Sequence, residues 1–347
     1  MKHLLILCAL WTLHLSAVAA TVPSIDKLHD ASRTVRLSAA REFNSTAHPD
    51  VARSIDELFR AALAEKDANL KFLLLQGAYV QGFLLGKHGD GRADAARKVF
   101  VRLFATREAE IIHLLNATET DMVETVLCLC LLVDPQLPGL VDGTLALLKH
   151  KSPRIRGLAL EVLSLGKPDP TIGDTARIMA ANDASPEVRK SAMMMLVKHG
   201  DFSDATKNVI RQNLRSSDIY SQEASLRALA AIGPKAESDF LDDILALVTT
   251  PPAPWGPGYQ SSQHWNAFMA AASLAKMKQA HVVNVFVGML GNDRRAELAI
   301  EALSRMGPVA IEALPALEKT AAIDGITPAI RARVSQALAR IRASTPP

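Results

Sequence analysis

The chain has 347 residues, with 39 basic side chains against 36 acidic ones. Nucleic-acid binders neutralise phosphates with clustered Lys and Arg, and no such cluster occurs, which excludes a polyanion track. With three cysteines in all a disulfide framework is excluded, and 49% hydrophobic residues with only 5% aromatics fit helices that pack closely through Ala and Leu.

Residues 1–20 read as an export signal. Lys2 and His3 precede an apolar run from Leu4 to Leu13, and Ala17-Val18-Ala19-Ala20 supplies small residues for cleavage. Thr12, His14 and Ser16 interrupt the run, well short of the ~20 apolar residues that a membrane span needs. The expectation is a mature chain starting at Thr21, periplasmic or secreted, with no integral membrane segment.

From there the chain repeats itself. Ser152-Pro153-Arg154-Ile155-Arg156, Ser185-Pro186-Glu187-Val188-Arg189 and Thr327-Pro328-Ala329-Ile330-Arg331 share one template. Each has a leucine seven residues after its Arg: Leu163, Leu196 and Leu338. Degenerate copies run from Val35-Arg36, Leu70-Lys71 and Val123-Glu124, around Ser221-Gln222, and through 266–274 and 295–303. That makes about nine. Ser152, Ser185 and Thr327 are expected to cap their helices, with Pro at the first position where its missing N–H costs nothing. Val188, Ala192 and Leu196 then form one apolar stripe. Gly200, Gly233 and Gly307 are placed as helix stops. Partner helices are predicted at 49–65, 92–115, 137–150, 171–182, 203–214, 237–249, 280–290 and 308–322. No alternating strand pattern occurs, so the fold class is all-α. A period of 33 residues implies a solenoid, because one helical pair cannot bury its apolar face alone.

These residues resemble HEAT repeats, especially the short bacterial HEAT-like form. The alternation of Gly307-Pro308 through Leu317 with a Pro-x-Ile-Arg helix carries the likeness, strongly over 150–342 and moderately over 28–150. The resemblance implies an α-solenoid of about nine stacked antiparallel helix pairs over 21–342, a curved superhelix with a short tail at 343–347. It also implies that the second helix of each pair lines the concave side. The family's Asp–Arg ladder maps onto Asp30 with Arg36 and Asp183 with Arg189, and Glu65 with Lys71 is a conservative version. His150 before Arg156 and Gly325 before Arg331 depart from it.

The most unusual segment is 250–265, which contains both tryptophans of the mature chain. Its prolines and glycines predict a fixed, irregular loop inserted in the turn within a pair. Trp255, Tyr259, His264 and Trp265 are candidates for a recognition surface, set against rings that merely fold back over a helix end. On the second helices, Glu161, Lys190, Arg227, Glu301 and Gln336 lean outward with mixed charge. Lys190 and Arg227 are the candidate partner-binding residues there, set against a plain solvated face. Cys128 and Cys130 lie at i and i+2 on a helix, too far round to pair, and read as core side chains. The Gly86–Gly91 stretch is a connection rather than a phosphate loop. Asn44-Ser45-Thr46 and Asn116-Ala117-Thr118 match the glycosylation sequon.

The histidines are scattered, and HExxH, GxSxG and Walker patterns are missing. No catalytic residue, metal or cofactor is therefore assigned. The expected function is a non-catalytic scaffold that presents its concave face and turn ridge to a protein partner. The alternatives are a HEAT-like enzyme of lyase type, or a carbohydrate- or peptide-binding module centred on the aromatic segment.

Overall fold

A computed structural model describes residues 22–83, 92–133, 138–233, 238–249, 257–277, 279–291 and 295–343. The expected export signal, the Gly86–Gly91 stretch and Trp255 lie outside the described residues. Every regular element among those residues is a helix, and contacts divide the chain into two compact units at Ile172/Gly173.

The first unit holds four pairs. A 3-10 turn at Asp26–His29 precedes α1 (Arg33–Ser45), and α2 (Val51–Ala64) pairs with α3 (Ala68–Phe83). Then α4 (Arg92–Thr106) and α5 (Glu108–Leu115) precede α6 (Thr120–Cys130), and α7 (Pro138–Ala146) leads through a 3-10 turn to α8 (Pro153–Leu163). The second unit holds five. They are α9 (Pro170–Asn182, whose first turn contains the division) with α10 (Pro186–Lys198), and α11 (Asp204–Arg215) with α12 (Ile219–Ile232). Next come α13 (Leu241–Thr249) with α14 (Pro257–Met277), and α15 (Ala280–Met289) with α16 (Ala296–Met306). The last pair joins a 3-10 segment, Gly307–Ala313, and α17 (Leu314–Ala321) to α18 (Pro328–Ala343).

The second helices stack on one another. In the first unit α1 packs on α3, α3 on α6 and α6 on α8; in the second α10 packs on α12, α12 on α14, α14 on α16 and α16 on α18. The predicted stripe is the reason. Val188, Ala192 and Leu196 are at most 1% exposed, and the equivalent Ile155, Ala159 and Leu163 at most 4%. Each buried branched side chain contributes roughly 1.5–3 kcal/mol, and only an adjoining hairpin can supply the cover. Among the described residues each unit is thus an all-α, HEAT-like stack of antiparallel helix pairs, four in the first unit and five in the second.

Four local expectations are corrected. The predicted 92–115 helix breaks at Arg107 (φ −133, ψ 30). Thr106 turns its hydroxyl back on the Arg102 and Leu103 carbonyls, and Glu108 and Glu110 give the second piece its own acidic first turn. The break lets α4 serve α2 and α3 while α5 serves α6 and α7. The 308–322 helix begins as 3-10 and is interrupted at Ala310 (φ −88, ψ 17), two residues into α17 standing Pro315, which has no N–H for an i−4 bond. The 250–265 loop is too long: α14 starts at Pro257 and runs helically through Tyr259, His264 and Trp265. A proline in the first turn needs no N–H partner and already has a helical φ. Finally, α18 extends into the expected tail, through Ala343.

Gly233 (φ +105) and Gly307 (φ +61) cap α12 and α16 in the left-handed region, where a side chain would be strained.

Candidate binding surface of the second helices

The surface starts from how each second helix is anchored. The Ser152 and Ser185 hydroxyls do not cap their helices, contrary to expectation. The cap is built two residues earlier. Asp183 Oδ1 accepts the Ser185 N–H at 2.9 Å, and Asp30 Oδ1 accepts that of Ser32 at 2.7 Å. His150 Nδ1 accepts Ser152 N–H at 3.1 Å, Glu65 Oε1 accepts Asp67 N–H at 3.1 Å, and Ser216 Oγ accepts Asp218 N–H at 3.0 Å. Four different side-chain types thus close one turn, because the turn requires only an acceptor at that reach.

Six residues after four of these acceptors, Glu65 excepted, stands a donor that returns to the same residue's carbonyl. Arg36 Nη1 donates to Asp30 O at 2.8 Å and Arg156 Nη1 to His150 O at 2.9 Å. Arg189 Nη1 donates to Asp183 O, and Gln222 Nε2 to Ser216 O at 2.8 Å. The donor also bridges forward to the next hairpin. Arg36 Nε reaches Glu65 Oε2 at 2.9 Å, and that carboxylate side chain is only 7% exposed. Arg189 reaches Ser221 Oγ through Nε at 2.8 Å and Asp218 Oδ2 through Nη2. Asn266 continues the line, donating to Ile219 O at 2.7 Å and to Gln222 Oε1 at 3.3 Å. Burial would raise the carboxyl pKa of Asp218 and of Glu65, but hydrogen bonds (from Ser221 and Arg189 for the first, from Asp67 N–H and Arg36 for the second) outweigh it and hold both below the ordinary value. The ladder pairs therefore act through backbone carbonyls within a hairpin and through carboxylates between hairpins.

A second brace passes behind α1. Gln81, fully buried on α3, donates to the Phe43 and Thr46 carbonyls and accepts the His48 N–H. Asn44, also buried, donates to Leu73 O at 2.8 Å, so the first sequon serves packing. Sequence patterns do not flag either amide, since nothing repeats at their positions.

The candidate recognition residues fall into two groups. Trp255 lies outside the described residues, and of Tyr259, His264 and Trp265 only the helical backbone on α14 is described. Lys190 is half-buried on α10, and Arg227 on α12 is exposed, with Nε on Glu223 Oε1 at 2.7 Å. Since α10 and α12 pack together, the two stand on neighbouring helices. Glu301 is held by Arg305 at 2.7 Å, and Gln336 is exposed. Two positions of the repeat recur on the neighbouring helices α10 and α12. Two residues into the helix stand Glu187 and Tyr220, both exposed; nine residues in stand half-buried Met194 and exposed Arg227. No charge sign repeats along either row. In the first unit, Arg154 on α8 pairs with Glu124 of α6 at 2.5 Å.

Cys128 is a free, half-buried thiol and Cys130 a free, buried one. Burial pushes the Cys128 thiol up to about 12, reinforced by Glu124, and raises that of Cys130 too, so neither is a ready nucleophile. Among the described residues no group of three or more His, Cys, Asp or Glu side chains gathers as a metal site. No described helix is long and apolar enough to cross a membrane.

No protein-family model and no curated protein sequence matches the chain. Among solved structures it is similar to Kap121p, with a TM-score of 0.52 at 13% identity. It is also similar to the karyopherin Kap121p bound to the extreme C-terminus of the protein phosphatase Cdc14p, and to Kap121p bound to Nup53p, each with a TM-score of 0.51 at 14% identity. In all three the match covers 91% of this chain and 37% of the other, so this chain spans well under half the length of those it matches. At such identities the likeness is one of fold: a HEAT-like repeat solenoid.

Proposed function

We propose that the chain is an exported, non-catalytic scaffold whose second-helix face and adjoining turns hold a protein partner. The observation that carries this is the division of labour on α10 and α12. There Arg189 and Gln222 are spent on carbonyls and carboxylates of adjoining turns, while Glu187, Tyr220 and Arg227 stay exposed and chemically varied. A row that varies at each step reads the side chains of one protein rather than a repeating polymer. Solved structures of similar fold hold Kap121p with a protein segment or protein, which supports the choice of partner class. The export signal supports a periplasmic or secreted location.

The test uses the mature chain, residues 21–347, as bait against the exported fraction of its source cells. A partner captured by the native chain and lost with the double substitution Lys190→Glu/Arg227→Glu, at unchanged melting temperature, is the expected result. Equal capture by both chains would remove the second-helix face from the reading. N-terminal sequencing of the exported chain should begin at Thr21, and a chain retained with Met1 inside the cell would remove the location.

A further inference from the structure

The first unit contains a cleft of about 290 Å³ that the scaffold reading leaves unused. Its walls are Leu140, Val141 and Thr144 on α7, Val162 and Leu163 on α8, the connection Gly166-Lys167-Pro168-Asp169, and Ile172. Leu140, Val162, Leu163 and Ile172 are buried and apolar. On the wall the Thr144 hydroxyl donates to Leu140 O at 2.7 Å, which meets its need for a partner. The mouth differs. Lys167 is exposed, and no ion pair engages its ammonium among the described residues. Asp169 spends Oδ1 on the Thr171 and Ile172 N–H groups at 2.8 and 3.0 Å, which fixes the carboxylate beside the opening and leaves Oδ2 for a ligand.

One cation and one fixed anion above an apolar pocket define a narrow ligand class. A fatty acid would meet Lys167 but bring its carboxylate up to Asp169, and a simple amine would have the converse fault. A zwitterion satisfies both, and the volume, at the small end for ligand pockets, takes a branched aliphatic side chain. We propose that this cleft binds a free aliphatic α-amino acid, with its carboxylate on Lys167, its ammonium on Asp169 and its side chain against Leu140, Val162 and Ile172.

The test is saturation-transfer NMR and calorimetric titration of the full mature chain with L-leucine, leucinamide and 4-methylpentanoate. Leucine should bind saturably, and each analogue, lacking one charge, should bind at least tenfold more weakly. Val141→Trp, which fills the cleft from a half-buried helical position, should abolish binding, and Lys167→Met should weaken leucine but not leucinamide. Circular dichroism establishes that both variants fold. Three results overturn the proposal: no saturable leucine binding by the folded native chain, equal binding of the three compounds, or leucine binding undiminished in folded Val141→Trp.

Discussion

Replacing Arg189 with Ala removes a guanidinium that is 14% exposed and joins two hairpins. It loses bonds to Asp183 O, to Ser221 Oγ and to the Asp218 carboxylate, which is 29% exposed. A hydrogen bond to a charged group is worth about 1.5–3 kcal/mol, and stripping a partner from a buried ion pair costs about 3–5 kcal/mol. Asp218 keeps the Ser221 N–H and hydroxyl and has some contact with water, so the expected loss is about 2–4 kcal/mol. The assay is urea unfolding of residues 21–347 followed by tryptophan fluorescence, because Trp255 and Trp265, the tryptophans of that stretch, both belong to the second unit along with Arg189. The pH dependence has a definite sign. The folded-state pKa of Asp218 lies below its ordinary value near 3.8, so the pair's contribution is fully present above that value and lost as pH falls through the folded one. The gap between native and variant chains should stay constant from neutral pH down to about 5, then narrow. In a background carrying Asp218→Asn the Arg189→Ala loss should shrink by about 1–3 kcal/mol. A loss below about 0.5 kcal/mol at neutral pH, or one of the same size with and without the Asp218 carboxylate, would refute the ladder as a source of stability.

Gln81→Leu should destabilise the first unit by about 3–5 kcal/mol, because it strands the Phe43 and Thr46 carbonyls and the His48 N–H together; thermal melts check this, and a loss under about 1 kcal/mol would contradict the brace. His150→Ala should cost about 1 kcal/mol through the lost acceptor for Ser152 N–H, whereas His150→Asp, which restores the acceptor used by Asp30 and Asp183, should recover most of it. Maleimide should leave both thiols unmodified in the folded chain at neutral pH and label them in denaturant, given burial and the raised pKa of Cys128; mass spectrometry reads the outcome, and rapid native labelling of Cys130 would contradict its burial.

The fold was legible because its signals are local. Pro153 and Pro186 sit at helix starts, Gly233 and Gly307 at stops, and Val188, Ala192 and Leu196 share one stripe. The anchoring chemistry was only half legible. Arg36, Arg156 and Arg189 stand out by spacing, but their receivers are carbonyls, which every residue carries. His150 and Ser216 look like departures in a pattern of aspartates, yet an imidazole nitrogen and a hydroxyl make the same bond. Gln222 hides likewise, since an amide N–H replaces a guanidinium. Composition points to a loop over 250–265, but Pro257 disfavours helix only in the interior and suits the first turn, so position rather than content decides.

The same chemistry explains why the proposed partner surface is the least legible feature. A position committed to the stack has one geometry to satisfy, so few side chains serve, and the pattern repeats visibly. Glu187 and Tyr220, two residues into α10 and α12, and Arg227, nine residues into α12, are exposed and make no bond to an adjoining hairpin among the described residues, and they share no chemistry. Changing such a residue costs the fold within about 0.5 kcal/mol, so these rows can take whatever a partner requires. Where stability leaves the sequence unconstrained, only the bound molecule constrains it, and variation along those rows is the expected form of a recognition surface in a stacked-hairpin protein.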